Sequence, residues 1–191
     1  MAAAETPALP AVSSAVDDAS ALSAPYSPEF DAAVARVLAD EGGTESAPGD
    51  PGGVTRFGIS AREYPSLDIA HLSRAEAIAI YHRDYWRRYD LDALPGALAA
   101  KLFDLAVNIG PAHAIGCVQR ALRAAGHRVT EDDVLGPATA AAAHAAEPLA
   151  AMAALRSEAA GYYRVVAALA RGPRADGDRE FLTGWLSRAY E

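Results

Sequence analysis

Along most of this chain apolar residues return every three or four positions, a spacing that predicts helices. The first helix starts at Ser27-Pro28, where serine suits the N-cap and proline the first helical position. Phe30, Val34, Val37 and Leu38 mark its apolar face, and Gly42-Gly43 end it, which holds Glu41 at the helix C-terminus. The pattern then changes. SAPGDPGG is turn-rich, and VTRFGIS has the composition of a short strand. Ser73 and Glu76 form a capping box that opens a helix running to about Arg87, with Ile78, Tyr81 and Tyr85 facing inward.

A third helix follows Pro95-Gly96, with Leu98, Leu102, Leu105 and Ala106 at helical spacing. Asn108-Ile109-Gly110-Pro111 breaks it. Ile115, Val118 and Leu122 carry the next helix to Gly126, and Gly136-Pro137 opens a short alanine-rich one. Leu149, Met152, Leu155, Ala159, Tyr162, Val166 and Leu169 predict one long face. Phe181, Leu182, Trp185 and Leu186 predict a terminal helix. Residues 1–26 are rich in Ala, Ser and Pro and have no such period, so a disordered or docking tail is expected there. The fold class predicted is α+β and predominantly α-helical, with one small β-element after the first helix and one main domain over residues 27–191.

Composition narrows the function. The formal net charge is −8, which argues against a nucleic-acid or anionic-membrane partner. Arg83, Arg87 and Arg88 form a local basic cluster whose simplest reading is a solvated helix face. Cys117 is the only cysteine, so no internal disulfide forms, and its apolar helical setting predicts a small core residue. The five histidines lack metal-ligand spacing, so no metal is predicted. No apolar run is long enough to span a bilayer, and the N-terminal residues lack the basic and apolar regions of a secretory signal.

The chemistry gathers between Glu41 and Ser60. Cleaving a glycosidic bond takes an acid on the leaving oxygen and a second group across the sugar. Two carboxylates in different environments meet that need. Glu41 lies at the negative end of a helix dipole, which favours its protonated form. Asp50 lies in a Gly/Pro turn that backbone N–H groups and water keep ionised. The Thr55 hydroxyl is placed to hold a water, and Gly52, Gly53 and Gly58 leave room for a polymer. Each residue also has a purely structural reading, as a helix end or a turn; it is their combination on one β-element that points to catalysis.

The pattern of Glu41, Asp50, Thr55 and Gly58-Ile59 resembles that of phage-type lysozymes, with the gap from Asp50 to Thr55 one residue shorter here. The chain more closely resembles the family-108 glycoside hydrolases, N-acetylmuramidases of bacteria and phages. The resemblance runs over residues 28–190 through EGG (41–43), DPGGVTRFGI (50–59), IYHRDYW (80–86), LFDLAVNIG (102–110) and GW (184–185). It implies a lysozyme-like fold, with Glu41 as the catalytic residue. VQRALRAAGHRV and DDVLGPAT resemble a helical peptidoglycan-binding module, with Asp133 where glycine is usual. Residues 111–191 are accordingly expected to form a C-terminal peptidoglycan-binding-like lobe.

The expected activity is hydrolysis of the β-1,4 bond between N-acetylmuramic acid and N-acetylglucosamine by a phage, prophage or gene-transfer-particle endolysin. No cofactor is expected, and the expected partner is the peptidoglycan glycan strand, met by a monomer. Residues 1–26 are a candidate contact to a particle. Release through a holin, carriage on a virion and a dedicated secretion system all fit. Asp50 stabilises the oxocarbenium-like state, attacks it, or orients water with Thr55. Asn108 is either a helix cap, a tie across the cleft or a hydrogen-bond partner of a sugar acetamide. Tyr85 and Trp86 are candidates to stack on sugar rings, with core packing expected of at least one. Two other readings remain: a lytic transglycosylase on the same scaffold, and a wall-binding or virion structural protein.

Overall fold

A computed structural model describes residues 26–40, 44–45, 54–169 and 174–190. Seven helices follow in chain order among them: α1 Pro28–Asp40, α2 Arg74–Tyr81, α3 Gly96–Ile109, α4 Pro111–Ala124, α5 Pro137–Ala145, α6 Pro148–Leu169 and α7 Arg174–Tyr190. Between α1 and α2 stand three two-residue strands, β1 Thr44–Glu45, β2 Thr55–Arg56 and β3 Ile59–Ser60, joined as an antiparallel sheet in the order β1-β2-β3. The expected single strand in VTRFGIS is therefore a hairpin. Phe57 and Gly58 both take positive φ, at 53° and 76°, and reverse the chain as a type I′ turn does.

Local chemistry sets the helix ends. The Phe30 amide donates to Ser27 Oγ at 3.3 Å, an N-cap bond, and the Ser27 hydroxyl donates to Asp92 at 2.8 Å. Ser73 and Glu76 make both bonds of the capping box. Gly110, at φ 83°, ends α3, and Pro111 opens α4 immediately after it.

The helix from Arg74 does reach Arg87, but not as an α-helix throughout. At His82 it widens into a π-turn over His82–Arg87. Such turns occur frequently at functional sites, because they re-aim side chains that an α-helix would place elsewhere.

α1 and α3 start side by side. Glu29 lies so close to Gly96 that a Cβ there would meet Glu29 Cγ at 2.9 Å. The two helices also pack on one another. Four buried rings fill the centre. Phe103 of α3 meets Phe30 of α1 at 5.9 Å, Tyr81 at 5.8 Å and Trp86 at 5.7 Å.

The C-terminal helices join the same core, which runs from Phe30 to Ala189. α4 and α7 both pack on α6. The face of α6 differs from the one expected. Leu149 and Leu169 are exposed, while Ala151, Leu155, Ala159, Ala160, Tyr163 and Ala167 are buried. Small side chains let neighbouring helices approach closely, so alanines rather than leucines mark the interface. Cys117 is a buried core residue, as expected, and burial pushes its thiol pKa up.

One buried polar residue organises the loop before α5. Gln119 is 0 % exposed. Its amide nitrogen donates to Asp132 at 2.7 Å and to the Val134 carbonyl at 3.0 Å. Its oxygen accepts from the amides of Asp132 at 3.1 Å and Asp133 at 3.0 Å. Asp133, at the usual glycine position, takes φ 58°, a left-handed conformation that aspartate tolerates better than most residues. Gln119→Leu leaves these groups without their partner. A loss of about 2 kcal/mol in urea unfolding is expected, and an unchanged midpoint would show the loop to be held by other means.

His82 supplies a pH dependence. Its ring packs between Tyr26 at 4.6 Å and Phe30 at 4.9 Å. Burial lowers its pKa, with Arg87 adding to the effect and Asp92 and Asp31 opposing it. The folded state thus favours the neutral ring. Its contribution is present above the ordinary value of 6.5 and is lost as pH falls below it, where the unfolded chain takes up the proton first. Thermal unfolding from pH 8 to 5 should show a steeper acid-side decline for the wild type than for His82→Gln. Parallel curves would remove His82 as the cause.

Candidate active site

Glu41 and Asp50 lie outside the described residues. Glu41 follows directly on Asp40, the last residue of α1, and Thr44 opens β1. β1 pairs with β2, with Glu45 opposite Thr55, and Thr55 in turn faces Ser60 of β3. Thr55 is half-buried at the centre of this small sheet.

The hairpin is fixed from outside. Phe57 is a non-glycine residue at positive φ, a conformation that costs about 1–2 kcal/mol. The Tyr81 hydroxyl donates to its carbonyl at 2.8 Å and ties the turn to the end of α2. Arg56 donates to the Ala70 carbonyl at 2.6 Å and places its guanidinium 5.3 Å from the Phe57 ring centre. Thr55, next along the strand, is held by these attachments on a rigid support.

Beyond β3 the π-turn meets the chain again. The Tyr85 hydroxyl donates to Glu63 at 2.9 Å, and the Tyr64 hydroxyl donates to Asp84 at 2.9 Å. Arg83 grips Asp84 through two bonds of 2.7 Å. Burial first, and then the neighbouring carboxylates, drive both tyrosine pKa values far up, so both hydroxyls stay neutral donors. Glu63 is exposed and is held by a neighbour 22 residues away. Glu63, Tyr64 and Asp84 carry no signal in the periodicity. The cue was the mixture of charge and aromatics in IYHRDYW, which an α-helical wheel assigns to no single face.

The other predicted residues separate. Trp86 is 0 % exposed, with its ring set against Phe30 at 5.4 Å and Phe103 at 5.7 Å. It fills the core and offers no face to a ligand, because the π-turn carries it inward. Tyr85 is half-buried and keeps its hydroxyl at the surface network. Asn108 is exposed at the end of α3. Its amide donates to the Asp104 carbonyl at 2.7 Å and to the Asp104 carboxylate at 3.3 Å, and its oxygen accepts from Arg188. Asn108 therefore ties α3 to α7. Lys101 makes a second tie, with its ammonium on the Arg188 carbonyl and on Asp104 at 3.3 Å. Among the described residues no cluster of three His, Cys, Asp or Glu side chains is arranged to hold a metal ion.

Comparison with known proteins places this geometry. Residues 34–110 match the family described as Glycosyl hydrolase 108, and residues 113–190 match the family described as Predicted Peptidoglycan domain. A solved structure titled "Structure of Brucella abortus SagA" is 26 % identical, with a TM-score of 0.63. The alignment covers 84 % of this chain and 92 % of that one. No curated protein matches. A mainly helical, lysozyme-like fold that joins a glycosidase segment to a peptidoglycan segment defines a peptidoglycan hydrolase. Residues 34–110 are thus similar to glycoside hydrolase family 108, and the chain is a glycoside hydrolase whose substrate is the peptidoglycan of the cell wall.

The anchored hairpin is testable. Tyr81→Phe deletes one hydroxyl and keeps the ring in the core. Wall solubilisation should fall by ~10-fold, since small displacements of a catalytic support carry large rate costs. Wild-type turnover in that variant would mean that the Tyr81 bond does not set the geometry of the site.

Proposed function

We propose that the chain is an N-acetylmuramidase that hydrolyses the β-1,4 bond between N-acetylmuramic acid and N-acetylglucosamine, with Glu41 as its general acid. The observation that carries this reading is the place of Glu41 inside the glycosyl hydrolase match, directly after α1 and before the anchored sheet. The last turn of α1 has no basic residue. An acid catalyst must hold its proton, and the C-terminal end of a helix dipole is a setting that favours a neutral carboxyl.

Asp50 and Thr55 complete the proposed chemistry. Asp50 is the second carboxylate, which stays ionised as positive charge develops on the sugar. Thr55 orients the attacking water from the fixed strand. Glu41 gives its proton to the leaving oxygen as the glycosidic bond breaks, and regains one from the water that adds to the sugar. A water-positioning pair favours hydrolysis over the internal attack of a transglycosylase. Delivery as a phage-type lysin fits the family's occurrence in bacteria and phages. Among the described residues no helix is long and apolar enough to cross a membrane.

Digestion of purified peptidoglycan by wild type and by Glu41→Gln, with products read by mass spectrometry, tests the proposal. The wild type should release reducing N-acetylmuramic acid ends, and Glu41→Gln should be slower by roughly 10²–10⁴-fold. Reducing N-acetylglucosamine ends would make the enzyme a glucosaminidase, and 1,6-anhydro ends a transglycosylase.

A further inference from the structure

A second concave site lies away from the hairpin. Asn108 and Ile109 at the end of α3, Tyr162, Tyr163 and Val166 of α6, and Trp185 of α7 enclose a recess of about 240 Å³. Its walls come from both matched segments, 34–110 and 113–190. It opens beside the C-terminal end of α3.

Its chemistry is specific. Tyr163 and Trp185 stack at 5.6 Å with 27° between their planes. Tyr162 stands half-buried beside them, 6.1 Å from Tyr163. Val166 and Ile109 add apolar surface. Tyr163 is 4 % exposed, and its hydroxyl has no hydrogen-bond partner among the described residues. Buried polar groups without partners are rare, and each calls for an explanation such as a bound ligand group. None of the six lining residues carries a charge.

We propose that this recess is a subsite for one N-acetylhexosamine ring of the glycan strand, with Tyr162 and Trp185 against the sugar's C–H face and the Tyr163 hydroxyl bonding a sugar oxygen. The volume is below the ~300–1,000 Å³ typical of ligand pockets, which suits a single ring. Stem peptides are charged, and an uncharged recess would strip that charge of water without a partner. The sugar is neutral at its ring hydroxyls and acetamide, so it enters at no such cost. The proposal rests on the muramidase reading for its place along the same strand as the cleaved bond.

Tryptophan fluorescence tests it. The chain has two tryptophans, and Trp86 is wholly buried, so a ligand-induced change reports Trp185. Glu41→Gln protein, to spare the substrate, is titrated with glycan strands stripped of stem peptides by an amidase. A saturable change is expected. Adding Tyr163→Phe should weaken binding about 5–10-fold without lowering the thermal midpoint, because the lost hydroxyl had no protein partner. Adding Tyr162→Ala should weaken it by a similar or larger factor. Equal affinity in Tyr163→Phe would overturn the proposal, as would a response to free stem peptides with none to stripped strands. Wild-type cleavage of strands that leave Trp185 unperturbed would remove the subsite and keep the hydrolase. Binding at Trp185 with no cleavage by wild type would do the reverse.

Discussion

Phe103 stands where α1, the end of α2 and the π-turn meet. Its ring touches Phe30 on α1, Tyr81 at the end of α2, and Tyr85 and Trp86 on the π-turn. α1 leads into Glu41, Tyr81 anchors the hairpin that carries Thr55, and Tyr85 reaches Glu63. All three elements take their positions from one aromatic nucleus. Edge-to-face contacts of this kind prefer particular geometries, so the nucleus fixes orientation as well as proximity. A small sheet of two-residue strands has little stability of its own. It is held because the ring cluster holds Tyr81.

The π-turn follows from the same packing. At this point the chain must bury Trp86 completely while two consecutive residues before it, Asp84 and Tyr85, bond to the loop after β3. An α-helix places neighbours about 100° apart and cannot serve both demands here. The wider turn does. Its cost in helical hydrogen bonding is offset by the indole burial and by the Tyr64–Asp84 and Tyr85–Glu63 bonds.

The two family matches meet at Gly110, yet the core does not stop there. Asn108 and Lys101 of α3 both bond to Arg188 of α7, 80 and 87 residues further along. The glycosidase and peptidoglycan segments are thus locked together through their interiors. A recess whose walls come from both segments keeps a stable shape for that reason. Lys101, Asn108 and Arg188 thus join α3 to α7 across the boundary between the two matches.

By itself the sequence determined the helices, their caps, the break at Gly110-Pro111 and the position of the β-element. Those features are governed by interactions within a few residues: Ser27 on Phe30, Ser73 with Glu76, and the φ limits of proline and glycine. The blocks around Glu41, Asp50 and Thr55 also carried the likeness to family-108 glycoside hydrolases, and with it the substrate class. Tertiary packing alone decided the π-turn, the burial of Trp86, the Glu63–Tyr85 bond, the alanine face of α6 and the recess at Tyr163. A hydrogen bond spanning 22 residues, or a cavity walled by three helices, is set by how whole elements settle against Phe103 and α6. Periodicity records which side of a helix is apolar. It does not record how closely a neighbour approaches, and that distance separates an aromatic that meets a ligand from one that fills the core.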